Sequence, residues 1–338
     1  MKLNYKEAAA NPAGLFTLAL RWVIGWTYFS AFWRRLILEN KLIPNEAGYI
    51  GEKFNHFLPN ALGIKPVIAY LVSHPEALQA AMIAFTVIEA IVGLLLMLGL
   101  FTRLMSMGVM LLALGILLGS GWLGTTCLDE WQIGILGIAG GFTIFLSGSS
   151  SFSTDHYLVK KNHPVSRKQW FTWVASGPLP VNRQKQPVLI ISLLIAAVTL
   201  FTNQYFHGGV WGTLHNKSVT PKVEISNIRY TAGALHFRLF RTEGADVYGS
   251  FLIGIEVLNE RGDIIQSLGQ KQLSQLSPQQ ISNHYIAKIK PGQHSLILPL
   301  GAKADLFIPV KDLTKHQKYI VKLTDISGIT WEAGFKIN

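Results

Sequence analysis

Five apolar runs, at 15–33, 77–100, 104–123, 131–147 and 188–206, mark the first two-thirds of the chain. Each approaches the roughly 20 residues that carry a helix across a bilayer. Beyond Phe206 the pattern changes. Short runs at 223–230, 235–240, 250–258, 294–298, 305–309 and 319–323 are rich in β-branched and aromatic residues, and several alternate in polarity. Glu260-Arg261-Gly262-Asp263, Pro291-Gly292 and Ser327-Gly328 punctuate them as turns. The pattern predicts a membrane α plus β protein: a four-helix transmembrane bundle (1–158), a cytoplasmic linker (159–187), a fifth tethering transmembrane helix (188–206) and a C-terminal extracytoplasmic antiparallel β-sandwich (207–338). Gly115-x-x-x-Gly119 and Gly137-x-x-x-Gly141 supply small-residue faces for helix packing, which also leave a homo-oligomer open.

Composition supports this division, because 49% apolar and 14% charged residues in 338 are far from the usual soluble balance. Residues 1–14 are polar, and no small-residue cleavage site follows a short apolar core, so the first run reads as an uncleaved span. Charge sets orientation: Lys160, Lys161, Arg167, Lys168, Arg183 and Lys185 crowd the fourth connection, which the positive-inside rule assigns to the cytoplasm. The protein is therefore expected as a multi-pass protein of the cytoplasmic (inner) membrane with its β domain outside. The net charge of +11 forms no dense basic stripe, so it favours anionic lipids or small anions over nucleic acid.

Ionisable residues inside apolar runs are the first candidates for chemistry. Arg21 and Glu89 lie at expected depths of roughly 9 and 16 Å from the cytoplasmic side, near enough for a structural or proton-relay pair. At the opposite face the topology gathers Arg34 and Arg35 with Cys127, Asp129 and Glu130. Guanidinium groups match oxyanions, and a nearby cation favours a reactive thiolate, although a lone cysteine is more often a small buried residue and paired arginines often snorkel to headgroups. His207-Gly-Gly-Val-Trp211-Gly-Thr-Leu-His215 follows the fifth run and reads as a lid or substrate entrance, with a weak metal signal. Gly119-Ser-Gly-Trp-Leu-Gly124 spells a dinucleotide fingerprint but ends a span, where that motif has no meaning. One cysteine excludes an intramolecular disulfide and any Cys-x-x-Cys chemistry.

Arg21-Trp-Val-Ile-Gly-Trp-Thr-Tyr-Phe29 and Ile88-Glu-Ala-Ile-Val-Gly-Leu-Leu-Leu-Met-Leu-Gly-Leu-Phe-Thr-Arg103 resemble the DoxX-like membrane family, with Arg103 closing the motif. Gly124-Thr-Thr-Cys-Leu-Asp-Glu-Trp-Gln-Ile-Gly134 narrows the resemblance to the DoxD branch, and the segment from His207 onward is similar to its DoxA partner. The chain thus resembles the fused DoxD–DoxA form of the thiosulfate:quinone oxidoreductases. That resemblance implies oxidation of two thiosulfates to tetrathionate, with membrane quinone as electron acceptor and no flavin, haem or metal. Arg34 and Arg35, with Lys53 or His56, would offset the anions' repulsion. Cys127 would form a transient sulfur adduct, unless the thiosulfates react directly, while Glu89, Asp129 or Glu130 passes protons. A non-catalytic anchor that binds a partner enzyme and a sulfur-oxyanion transporter are the competing readings.

Overall fold

The computed structural model describes residues 12–44, 46, 48–124, 129–176, 179, 181–245, 249–310 and 313–337. The chain folds as two compact units. The first comprises Met1–Ile50, Gln79–Gly121 and Asp129–His215; the second comprises Gly51–Leu78, Trp122–Leu128 and Asn216–Asn338.

In chain order the helices are α1 (Leu18–Phe32), α2 (Ile50–Phe57), α3 (Lys65–Ser73), α4 (Pro75–Leu98), α5 (Thr102–Ser120), α6 (Asp129–Ser147), α7 (Thr154–Lys160), α8 (Gln169–Val174) and α9 (Val181–His207). Among the described residues four helical stretches are long and apolar enough to cross a membrane: Pro75–Leu98, Thr102–Ser120, Glu130–Ser147 and Gln184–His207. The first expected span differs in form. Thr17 breaks it after a single turn, Ala13–Phe16, and the 15 residues of α1 continue directly into a π-helical turn, Trp33–Leu38.

Tyr28, Val92, Leu96, Met105, Val109, Leu112 and Ile144 form one apolar cluster among α1, α4, α5 and α6. Gly137 and Gly141 face α5 so closely that Cβ atoms there would lie 2.7 Å from Ala113 Cβ and 3.2 Å from the Ser106 carbonyl oxygen. The Gly137–Gly141 stripe therefore packs as expected, whereas a Cβ on Gly115 would meet nothing within 4 Å. α9 exposes Leu189, Ile190, Leu193, Leu194 and Phe201, a surface suited to lipid.

The second unit is built around two antiparallel sheets. The strands are β1 (Lys222–Thr231), β2 (Ala234–Glu243), β3 (Ser250–Asn259), β4 (Ile264–Leu268), β5 (Ile281–Asn283), β6 (Lys290–Pro291), β7 (Leu296–Leu298), β8 (Lys303–Pro309), β9 (Lys318–Asp325) and β10 (Thr330–Lys336). One sheet runs β1-β2-β8-β5; the other runs β10-β9-β3-β7-β6, with β4 paired to β3. Period-two alternation buries Leu235, Phe237 and Leu239 of β2 with Leu306 of β8, Ile255 and Val257 of β3 and Val321 of β9 in one core.

The helical connection between α1 and α4 belongs to this unit. Leu58, Ala61, Ile68 and Val72 pack with Tyr285 and Ile286, and Ile286 N donates to Val72 O at 3.1 Å. Asn60 Nδ2 donates to Thr242 O (2.9 Å), Ala287 N to Asn55 Oδ1 (3.3 Å) and Trp122 Nε1 to Phe57 O (3.2 Å).

Candidate functional site

α1 and α4 cross at two glycines. A Cβ on Gly25 would lie 2.9 Å from the Gly93 carbonyl oxygen, and one on Gly93 would strike the Phe29 backbone. Such contacts bring helix backbones together without a large side chain between them. One turn along α4 from Gly93 is Glu89. Beyond Phe29 the first helix widens into the π-turn, a form with i→i+5 bonding that often accompanies function, and Arg35 reaches α4 from it.

Arg35 Nη1 donates to Glu89 Oε2 at 2.5 Å and to Thr86 Oγ1 at 3.1 Å. Their side chains are 15% and 4% exposed, and Thr86 is buried. The Arg35 guanidinium carbon stands 5.8 Å from the Phe85 ring centroid. Tyr28, also buried, is within electrostatic reach of Glu89 and sets its hydroxyl against Gly137. Among the described residues Arg35 hydrogen-bonds through Nη1 alone, so Nε and Nη2 retain unused donors. Arg34 points elsewhere: it is exposed, and its Nε donates to Ser30 O at 3.3 Å.

The expected Arg21–Glu89 pair is not formed. Arg21 Nη1 donates to Ser149 O (2.8 Å) and Nη2 to Phe152 O (2.5 Å), and a Cβ on Gly99 would meet its guanidinium. The Gly25–Gly93 crossing fixes this register. It levels Arg21 with the turn after α4, about ten residues and roughly 15 Å from Glu89, too far for its side chain.

Arg103, the motif residue at the start of α5, is buried and donates to Phe145 O and Thr172 O, each at 3.2 Å. Nearby Asp155 accepts from Phe101 N (2.8 Å), Thr102 N (3.0 Å), Thr102 Oγ1 (2.8 Å) and Ser176 Oγ (3.1 Å), capping α5 from outside the helix. Burial pushes its carboxyl above the ordinary carboxylate range, against the pull of those hydrogen bonds.

The stretch after α9 is a closed loop. His207 is fully buried, its Nε2 lies 3.0 Å from Gly121 O, and its carbonyl accepts from His215 N at 2.9 Å. Gln204 Oε1 receives the Val210 and Trp211 amides at 3.2 and 3.0 Å. The two histidines thus play different parts, because His215 and Trp211 are exposed. Lys53 is exposed and His56 half-buried, both on α2. Glu130 is half-buried in the first turn of α6. Cys127 falls outside the described residues, and of Asp129 only the backbone, at the start of α6, is described. Among the described residues no group of three or more His, Cys, Asp or Glu side chains is placed to hold a metal ion.

Thr86, Tyr28 and Asp155 are absent from the sequence-based site. Thr86 had a legible signal, since it lies three residues before Glu89 on the same helical face. Tyr28 and Asp155 owe their places to tertiary packing.

Two family profiles match the chain: "TQO small subunit DoxD" over residues 16–182 and "TQO small subunit DoxA" over residues 206–334. A solved structure, the archaellum periplasmic stator protein complex FlaF and FlaG from Sulfolobus acidocaldarius, matches 37% of this chain and 97% of that chain at 14% identity. Its TM-score of 0.24 is too low to support an argument about fold or function.

Proposed function

Because the chain belongs to the DoxD and DoxA families of TQO small subunits, fused in one polypeptide, we propose that it is itself a redox-active membrane protein that oxidises thiosulfate to tetrathionate and passes the electrons to membrane quinone. The observation that carries this reading is the Arg35–Glu89 pair: a carboxylate inside an apolar bundle, held by a guanidinium with donors to spare.

The chemistry balances around that pair. Two thiosulfates lose one electron each as their terminal sulfurs join, and the two electrons with two protons convert the quinone to quinol. The surroundings of Glu89 fit a lipid-soluble acceptor, since the same two helices expose Trp26, Val87, Ile88 and Ile91. Quinone supplies the two-electron sink, and Glu89, Thr86 and Arg35 are the polar groups that would hold it. Glu89 passes protons through its carboxyl group, with Arg35 holding the charged form in place between transfers. When Glu89 is protonated its claim on Arg35 weakens, leaving the guanidinium to attract a sulfur oxyanion.

Arg34 adds a second cation on the same π-turn, and Cys127 would carry a transient adduct: its sulfur joins the terminal sulfur of one thiosulfate as two electrons pass to quinone, and a second thiosulfate then breaks that bond, releasing tetrathionate and the thiolate. The basic residues 160–185 support a cytoplasmic connection between α6 and α9, which puts the C-terminal β-sandwich outside the membrane with α9 as its tether.

The test is quinol and tetrathionate formation by the full chain in nanodiscs. Stoichiometric production of both, falling about a hundredfold or more in Glu89→Gln, is the expected result. Absence of turnover with every quinone tried would leave an anchoring subunit, and uptake of labelled thiosulfate without quinol would make it a transporter. Full turnover in Cys127→Ser would remove the adduct and leave the cations to organise a direct reaction.

A further inference from the structure

The sheet β1-β2-β8-β5 has a second face, turned away from the apolar core, that the proposed reaction does not use. Arg238 and Asp305 are cross-strand partners there, as are Phe240 and Lys303. Arg238 grips the Asp305 carboxylate with two bonds, Nε to Oδ1 at 2.8 Å and Nη2 to Oδ2 at 3.0 Å, and His284 Nε2 shares Oδ2 at 2.7 Å. Those bonds, led by Arg238, hold the Asp305 carboxyl below its ordinary range. The one acid between these strands is thus already engaged.

Lys303 has no comparable partner. Among the described residues its ammonium makes no hydrogen bond or ion pair; it lies 5.6 Å from the Phe240 ring centroid and 5.8 Å from that of Tyr285. Its proton is held less tightly than in ordinary lysine, first through burial and then through the neighbouring charge of Arg238, with Lys65 of α3 acting in the same sense. Asp305 and, least of all, Glu224 oppose that effect. The Tyr285 hydroxyl is near enough to feel Arg238 and makes no hydrogen bond among the described residues. Lys303 therefore lies within electrostatic reach of two further cations, Arg238 and Lys65, and of two acids, the engaged Asp305 and the weaker-acting Glu224. Arg238 uses two of its five N–H groups, and Lys303 uses none of its three.

We propose that this face is a docking site for a small tetrahedral dianion of the sulfate–thiosulfate class, bound by Lys303, the free Arg238 donors and the Tyr285 hydroxyl, with Lys65 adding charge. The cations exceed the acids even with Glu224 counted, which favours an anion, and donors converging from different strands suit tetrahedral oxygens better than a flat carboxylate. That thiosulfate is the physiological occupant rests on the function proposed above.

Equilibrium binding of sulfur-35 thiosulfate and sulfate to the full chain in nanodiscs, at low ionic strength, tests the site. Wild type and Lys318→Met, which alters a lysine of the other sheet, are expected to bind alike, and Lys303→Met to lose about tenfold in affinity with an unchanged unfolding midpoint. Arg238→Gln provides a second variant that should weaken binding in the same way. Sulfate competing with thiosulfate would mark a general dianion site, whereas thiosulfate resisting displacement would mark a selective one; both support docking. Equal binding by Lys303→Met and wild type overturns it. Turnover without Lys303-dependent binding removes this site alone, while Lys303-dependent binding without turnover removes the proposed reaction and leaves the site standing.

Discussion

Removing either partner of the Arg35–Glu89 pair should destabilise the bundle unequally. In Arg35→Met the Glu89 carboxylate, 4% exposed, loses its counter-charge. Orphaning a buried charge costs about 3–5 kcal/mol, and the 15% exposure of Arg35 means that the pair is not fully enclosed, which sets the loss near the lower end. Glu89→Leu leaves the orphan on Arg35, whose stem can redirect its head outward, so about 1 kcal/mol is expected. The double variant buries no charge and should cost about 1 kcal/mol or less. A coupling energy of about 3 kcal/mol therefore follows, read from unfolding of the four proteins in mixed detergent and SDS micelles. Additivity to within about 0.5 kcal/mol would refute a functional ion pair, as would a Glu89→Leu cost exceeding that of Arg35→Met.

Gly93→Ala forces a methyl group onto the Phe29 backbone and should cost about 1–3 kcal/mol in the same assay, with a smaller Arg35–Glu89 coupling; an unaffected coupling would dissociate the helix crossing from the pair. In the β domain, burial raises the Asp325 carboxyl, but bonds from Ser250 Oγ and Ser327 Oγ, both 2.6 Å, and from the Ser327 and Phe251 amides outweigh it and hold the group below the ordinary carboxylate range. Its stabilisation should thus be complete above about pH 4 and lost as pH falls through the folded value, so Asp325→Asn should flatten the acid side of a Tm–pH curve; an unchanged slope would contradict this. Asp155→Asn should weaken the cap of α5, shown by faster amide exchange at Phe101 and Thr102, while Asp155→Glu should rescue little because the cap depends on reach.

Periodicity identified the helices whose burial follows length and apolarity, together with β1, β2, β3, β8 and β9, whose alternation a half-buried sheet requires. It missed β5 and β6, of three and two residues, and also β4 (Ile264–Leu268) and the seven-residue β10 (Thr330–Lys336), whose residues are mostly exposed or half-buried and so show no buried apolar face; pairing with neighbouring strands defines all four. It also placed Arg21 too deep, since neither the break at Thr17 nor the Gly25–Gly93 register can be read from one helix alone. Glu89 stood out as a charge in an apolar run, but its partner is set by the π-turn, a local widening without a compositional signature here. On the β1-β2-β8-β5 sheet Lys303 drew no notice, because its significance lies in which residues face it from β2 and the loop at Tyr285.

The second unit draws on three separate stretches of chain, two of them within the DoxD match. Gly51–Leu78 contributes apolar contacts around Tyr285 and Ile286, and Trp122 receives the Ser218 hydroxyl on its carbonyl at 3.1 Å. The family boundary and the folding boundary consequently fall in different places. A nick in the connection between α8 and α9 would yield two polypeptides that should stay together through purification, because the DoxD piece carries part of the platform on which the DoxA piece folds. Peptide continuity between the two segments would then secure their equal numbers, leaving their cohesion to the buried contacts.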